Sequence, residues 1–359
     1  MQLEASAKAA KHAALLFTNA RSPGLRRAPR GKGFVYLTAI GRPASRADAA
    51  RIAALVIPPA WRNVWICPDP RGHLQATGID VRGRKQYRYH EAWTAQRNAS
   101  KFTGLAALAR VLPALRRRVT RDLKLDGMPK DRVLACIVHL MDAAYIRVGN
   151  STYARANESY GLTTIHNNHA LVRGAEIKFN FRAKSGKQCA AHLHDPAAAV
   201  VVRRCQHLPG QELFAFQDDK GKTHDVTSTD VNEYLNRISR LHITAKDFRT
   251  WGGTTIAAET LLSMEPPDPR SPLPERELHR REVAAVRAAA TALGNTMATC
   301  RKFYVHSGLM EAYRMGRLSA AAEATRRTPK PRELHPAERA IANLLRSGGL
   351  NATGAAALG

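Results

Sequence analysis

In the stretch LGNTMATCRKFYVH a single tyrosine, Tyr304, stands among basic residues, nine positions after Asn295. A free phenol has a pKa of about 10, so near neutrality it attacks poorly unless its surroundings stabilise charge as it develops. Most tyrosines are simply half-buried aromatics. The surrounding chain supplies the groups that would make this one different. Arg147 lies in AAYIRVGN, near the end of a strongly apolar helical stretch, and Arg249 lies in AKDFRTWGGT, just before a Trp-Gly-Gly break. Guanidinium forks match the non-bridging oxygens of a phosphate and stay charged at every relevant pH. Lys184, in FRAKSGK, falls at the tip of a predicted hairpin. There a lysine on a mobile arm could reach into a groove and protonate a leaving alkoxide. Taken singly, each cation reads as a solvated surface or helix-end residue. Together they are residue types that could handle a phosphodiester.

Bringing these residues together places demands on the elements between them. On one continuous helix, Asn295 and Tyr304 would lie about 14 Å apart and on opposite faces. The chain must therefore bend, and Gly294-Asn295-Thr296 offers a helix end followed by a fresh N-cap. Upstream, PKDRVLACIVHLMDAAYIRVGN reads as a helix from a starting proline, Pro129, to near Gly149, its stripe being Val133, Ile137, Leu140, Met141 and Ala144. In AEIKFNFRAKSGKQCAAHL, Ile177, Phe179 and Phe181 alternate with Lys178, Asn180 and Arg182, so a hairpin is expected to turn at Ser-Gly.

The first ninety residues are strand-rich. GFVYLTAIG and VWICP are bounded by Gly and Pro, and HLQATGIDVRGRKQYRYH continues with two glycine-containing turns. From Glu91 the spacing becomes helical, as in KFTGLAALARVLPALRRRVTRDLKL, in STDVNEYLNRIS and in Glu275 to Leu293. The chain ends with a basic linker, RRTPKPREL, an expected short helix at Pro336 to Leu345, and an Ala/Gly tail. The expected fold class is α+β. A small β-rich domain (1–91) precedes a larger, mainly α-helical domain (92–324) with a small β-hairpin insertion, and 325–359 form linker, short helix and tail.

Of 359 residues, 56 are Lys or Arg and 29 Asp or Glu, a net charge of +27 that points to a polyanionic partner, nucleic acid first. Five scattered cysteines without a C-x-x-C pair argue against a disulfide framework or zinc site and for a reducing compartment. The N-terminus makes a poor signal peptide and no apolar run suits a membrane span, so a soluble, cytoplasmic protein is expected. No phosphate-binding G-x-x-x-x-G-K-[ST] loop occurs. His166, His169, His192 and His194 lack accompanying carboxylates or thiols and read as structural or surface residues.

YIRVGN, FRAKSGK, KDFRTWG and GNTMATCRKFY, in that order, resemble the catalytic segments of type IB DNA topoisomerases of the compact poxvirus-like and bacterial branch. IPPAWRNVWICPDPRGHLQATGIDVRGRKQYRYH is similar to that branch's N-terminal domain, and the likeness extends from about residue 33 to 315. The resemblance implies that Tyr304 is the nucleophile forming a 3′-phosphotyrosyl link. Arg147 and Arg249 correspond to the two arginines on the phosphorane, and Lys184 to the hairpin general acid. Asn295 takes the place of a viral histidine, so that an amide donates to a phosphate oxygen without titrating near neutral pH. Lys246 matches a further phosphate contact; Gln86, Tyr87 and Tyr89 match a major-groove face; and Tyr153 in NSTY matches a base contact, although Asn150 replaces a viral lysine. Ala183 stands where glycine is common. The implied protein is a nucleoid-associated monomer clamping duplex DNA, needing no ATP, metal, other cofactor or obligate protein partner. Two alternatives stay open at this point. A tyrosine recombinase shares the chemistry but generally has His-x-x-Arg where Lys246-Asp247-Phe248-Arg249 stands here. A basic DNA-compacting protein that has lost activity would share only the charge.

Overall fold

The alternating apolar residues of the first ninety positions form a five-stranded antiparallel sheet in a computed structural model of the chain. The structure describes residues 7, 10–11, 13–31, 33–267, 273–326 and 333–350, apart from the side chains of 97–101, 103 and 153. The Ala/Gly tail beyond 350 and most of the RRTPKP linker lie outside the described residues. The strands are β1 (Leu25–Arg30), β2 (Gly33–Leu37), β3 (Arg62–Ile66), β4 (Leu74–Ile79) and β5 (Lys85–Tyr89), in the order β2-β1-β3-β4-β5. Helix α1 (Arg46–Ala54), capped by the Ser45 hydroxyl on the Asp48 amide, contributes Ile52 to a core with Leu25, Val64, Ile66 and Ala76. Of the two glycine turns expected in HLQATGIDVRGRKQYRYH, only Gly83 makes one, at φ +74°. Gly78 instead lies inside β4, where a Cβ would come within 2.7 Å of the Trp61 ring. It is a glycine because a ring crosses the strand, not because the chain turns.

The chain divides into two units, Met1–Phe102 and Thr103–Gly359. Helix α2 (Glu91–Asp122) runs 32 residues with Pro113 inside it. In the second unit the central element is α3 (Lys130–Ala144). Its Val133, Leu134, Ile137, Val138, Leu140 and Met141 are all buried, as expected of a helix apolar nearly all round. It packs against α5 (Pro196–Gln206), α6 (Ser228–Ser239), α7 (Ala245–Leu262) and β9 (Ala215–Gln217), which pairs with β10 (Thr223–Asp225). Between them come the short helix α4 (Ser151–Asn157) and the antiparallel sheet β6 (Ala170–Arg173), β7 (Glu176–Arg182), β8 (Gln188–His194). The expected alternation holds: Ile177, Phe179 and Phe181 are buried while Lys178, Asn180 and Arg182 are exposed. The chain continues through α8 (Glu275–Ala292), α9 (Met297–Phe303), α10 (Leu309–Arg314), α11 (Arg317–Arg326) and α12 (Pro336–Arg346). Helix α7 packs against α8, and α12 packs on both α11 and α7.

Two sequence expectations are corrected here. Helix α3 does not reach Gly149; it stops at Ala144, and Tyr145 takes the left-handed conformation at φ 54°. Arg147 therefore lies past the helix end, outside any helix or strand. The second correction concerns TWGGT, which is no break, because Trp251, Gly252 and Gly253 sit within α7. Each glycine in a helix interior costs about 1 kcal/mol relative to alanine, and both are explained by close approaches. A Cβ at Gly252 would lie 2.2 Å from the Tyr145 ring, and one at Gly253 would lie 2.6 Å from the Tyr304 carbonyl oxygen. Among the described residues no helix is long and apolar enough to cross a membrane.

Candidate active site

Arg147 is held by its backbone. Its carbonyl accepts from the Leu162 amide at 2.8 Å, and the next carbonyl, of Val148, accepts from the Thr163 amide at 2.6 Å. Gly149 follows at φ +104°, where a Cβ would meet the Thr164 hydroxyl at 2.9 Å. This clip fixes the direction in which the Arg147 guanidinium leaves the chain, and its Nη2 donates to Asn295 Oδ1 at 2.7 Å.

The chain carries Asn295 to that position by ending α8 as the sequence suggests. Gly294 adopts φ +59°, its amide donates to Thr291 and the Asn295 amide donates to Ala290, a Schellman closure. Thr296 then caps α9, its hydroxyl accepting from the Thr299 amide at 3.2 Å. The bend sets Asn295 beside Arg147, which lines the same pocket as Tyr304. With its oxygen committed to Arg147, Asn295 keeps Nδ2 buried and without a partner among the described residues.

Arg249, on the second turn of α7, is 5% exposed. Its Nη1 donates to the Tyr145 carbonyl, and its Nη2 donates to the Leu293 carbonyl at 2.6 Å. Those oxygens belong to the segments leading to Arg147 and to Asn295, so one guanidinium stitches three parts of the site together. Its charge lies 5.1 Å from the centre of the Tyr304 ring, within cation–π range. Its Nε is buried and has no hydrogen-bond partner among the described residues. Burial, and then the neighbouring Arg147 cation, lower the Arg249 pKa from its ordinary value, while Tyr304 raises it. Two cations this close, one of them buried, form a field that favours an arriving anion.

Tyr304 ends α9 and is half-buried. Its main chain rests on α7: the Thr254 hydroxyl lies 3.3 Å from the Tyr304 carbonyl and accepts the His306 amide at 3.1 Å, next to the close approach at Gly253. Lys184 is exposed at the tip between β7 and β8, in a short turn whose left-handed residues are Ser185 and Gly186. Ala183 sits at φ -97°, an ordinary extended value that needs no glycine. Arg147, Lys184, Lys246, Arg249 and Tyr304 line one pocket of about 510 Å³, together with Asn150, Ser159 and Tyr160.

In the N-terminal unit, Gln86 donates to Asp80 Oδ2 at 2.9 Å, while Tyr87 and Tyr89 are exposed with stacked rings 6.0 Å apart. The Arg84 hydrogen bond holds the Asp80 carboxyl down to about 2. Tyr153 is on α4, and its side chain lies outside the described residues. His166 and His169 stack on each other, Tyr160 meets the first edge-on and the second at a tilt, and His192 bonds to Glu176. Sequence reasoning missed Tyr145, Thr254 and Tyr160. Tyr145 acts through its carbonyl, which no side-chain motif reveals. The glycine pair after Trp251 was the available signal for close packing on α7.

A half-buried phenol beside a buried guanidinium, with two buried donors that have no partner among the described residues, defines a cationic site suited to an anion. Residues 86–329 match the catalytic core of eukaryotic DNA topoisomerase I, and residues 33–80 match the N-terminal domain of bacterial DNA topoisomerase IB. The chain belongs to the type IB DNA topoisomerase family. It is similar to DNA topoisomerase 1B of Acanthamoeba polyphaga mimivirus, 32% identical over 270 residues, covering 74% of this chain and 80% of that protein. DNA topoisomerase I of Monkeypox virus is 22% identical over 235 residues, or 65% of this chain and 70% of that one. DNA topoisomerase 1B of Vaccinia virus (strain Copenhagen) is 25% identical over 175 residues, 49% and 53% of the two chains. The function is accordingly that of a DNA topoisomerase, an isomerase, and neither a recombinase nor a non-catalytic protein is favoured.

Proposed function

We propose that the chain relaxes supercoiled duplex DNA by transient cleavage of one strand. The Tyr304 hydroxyl gives up its proton to water as its oxygen attacks the scissile phosphorus and the bond to the 5′-oxygen breaks, leaving a 3′-phosphotyrosyl link and a free 5′-hydroxyl. Lys184 gives the leaving oxygen its proton and takes it back on resealing. Arg147, Arg249 and Asn295 receive the charge that grows on the non-bridging oxygens; donors preorganised there are worth on the order of 3 kcal/mol each. One phosphoester replaces another, so resealing needs no ATP, and fixed side-chain donors stand where a metal would otherwise serve. The observation that carries this reading is the convergence of Arg147, Lys184, Lys246, Arg249 and Tyr304 on one pocket, with Asn295 bonded to Arg147. The unpaired Nε of Arg249 and Nδ2 of Asn295 support it as donors with capacity for an incoming oxygen.

Lys246 is assigned a flanking phosphate. Gln86, Tyr87, Tyr89 and Tyr153 are assigned contacts that hold the duplex, in a monomer that clamps it within the cytoplasmic nucleoid. Supercoiled plasmid incubated with the protein, EDTA and no nucleotide is expected to relax whichever the sign of its supercoils. Plasmid left supercoiled at stoichiometric enzyme would overturn the proposal.

The role of Lys184 has its own test. Lys184→Ala is expected to slow adduct formation about 10²- to 10³-fold, the range of a lost general acid. Replacing the bridging 5′-oxygen by sulfur should restore most of that rate, because a thiol ionises near pH 8.5 and leaves without a proton. If the sulfur substrate shows the same deficit, Lys184 is not the acid.

A further inference from the structure

We infer that Glu338, on the helix nearest the end of the described chain, is a positioning residue for Arg249; the inference rests on the site proposed above. Glu338 is 3% exposed, and its carboxylate is fully engaged. Arg116 donates to both oxygens at 2.7 Å, Trp251 Nε1 donates at 2.7 Å and the His335 amide at 2.9 Å. Burial pushes the Glu338 carboxyl up, but Arg116, Trp251 and the His335 amide outweigh it and hold the group below the usual carboxylate range. The carboxylate is therefore charged in the fold.

The partners identify what this charge controls. Trp251 follows Arg249 by two residues on α7, which on a helix is about 200° around the axis. The indole therefore anchors the rear of the helix whose front presents Arg249. Arg116 extends the same network to Asp142, at 2.6 and 3.0 Å, three residues before Tyr145. Tyr145 supplies the carbonyl that receives Arg249 Nη1. Both the helix that carries Arg249 and the oxygen that aims it are thus tied to one carboxylate, 34 residues beyond the nucleophile in sequence. Neither the pocket around Tyr304 nor any contact with Lys184 includes Glu338. The route to the chemistry that both arms of this network share is Arg249, carried by α7 and aimed by the Tyr145 carbonyl.

Glu338→Gln keeps the shape and removes the charge that engages Arg116. With DNA in excess, the amplitude of the adduct burst counts folded, active molecules, and its rate constant reports the geometry of the site. The expected result is an amplitude unchanged, duplex affinity within about twofold, and a rate constant about tenfold lower. Made in an Arg249→Lys background, the same change should cost less than about twofold, since residues acting through one another are not additive. An unchanged rate, or the same tenfold loss in both backgrounds, would overturn the inference. Should Glu338→Gln fail to fold, Trp251→Phe removes one hydrogen bond from the network and is expected to give a several-fold loss with the same non-additivity. A readout independent of catalysis separates this idea from the proposed function. The ¹⁵N resonance of the Arg249 side chain, assigned by its absence in Arg249→Lys, should shift in Glu338→Gln even if no adduct ever forms. A signal that stays in place refutes the brace, whereas absence of adduct in the wild type refutes the phosphotyrosyl reading alone.

Discussion

Tyr304→Phe should abolish both plasmid relaxation and the covalent adduct trapped by denaturant, a loss of at least about 10⁴-fold, while duplex binding changes by less than about twofold. The size follows from what is removed. Without the hydroxyl there is no atom to displace the 5′-oxygen, and loss of a nucleophile typically leaves only the background that binding and charge stabilisation provide. The specificity follows from what remains. The Phe ring keeps its place 5.1 Å from the Arg249 charge, because that attraction acts on the ring face. The backbone of residue 304 keeps its contacts with Thr254 and Gly253, which involve main-chain atoms. Arg147 bonds to Asn295, and Arg249 to the Tyr145 and Leu293 carbonyls; these bonds survive when the phenol's own hydrogen bond to Arg249 is lost. The variant should thus be folded, cationic and inert. The measurements are a gel assay of supercoiled plasmid, a denaturing gel of a suicide duplex, and peptide mapping of the wild-type adduct. A modified residue other than Tyr304, or relaxation by the Phe variant, would refute the assignment.

How far the sequence foretells this site depends on whether side chains or backbone do the positioning. The alternation Ile177, Phe179, Phe181 against Lys178, Asn180, Arg182 fixes which way β7 faces, and so puts Lys184 at an exposed tip. Gly294 and Thr296 announce the bend between Asn295 and Tyr304, since a left-handed closure and an N-cap each have residue preferences rooted in their geometry. By contrast, the left-handed turn at Tyr145 has no signature. A tyrosine pays on the order of 1 kcal/mol to adopt it, and only the packing of its ring over Gly252 and the hold of Arg249 on its carbonyl explain why it does. The same blindness made Gly252 and Gly253 look like a helix break. Local propensity registers two poor helix formers, while the tertiary fold uses them as the places where two other chain segments touch α7. Glu338 shows the limit most plainly: as the third helical residue closing on the His335 amide it reads as an ordinary helix start, while the partners that give it a wider role are 222 and 87 residues away.

Replacing Arg249 should produce the other large effect, and its form distinguishes a role in the reaction from a role in the fold. Arg249→Lys is expected to slow adduct formation by about 10²- to 10³-fold, the loss typical of one preorganised donor at a developing oxyanion. Lysine conserves the charge but not the fork: an ammonium on a flexible stem cannot hold the Tyr145 and Leu293 carbonyls at once and still present a donor where Nε now stands unpaired. Arg249→Ala should lose more, because two buried carbonyls are then left without partners, at about 1–3 kcal/mol each. The decisive measurement compares the two directions. Cleavage and resealing cross the same pentacoordinate state, so a residue that stabilises that state speeds both equally and leaves their ratio alone. With Arg249→Lys, the rate of strand rejoining from a preformed adduct should fall by the same factor as cleavage, and the fraction of DNA held covalently at equilibrium should stay within about threefold. A change confined to one direction would assign Arg249 to binding the duplex or the adduct. Parallel losses would tie the guanidinium, and the two backbone oxygens that hold it, to the transferring phosphate.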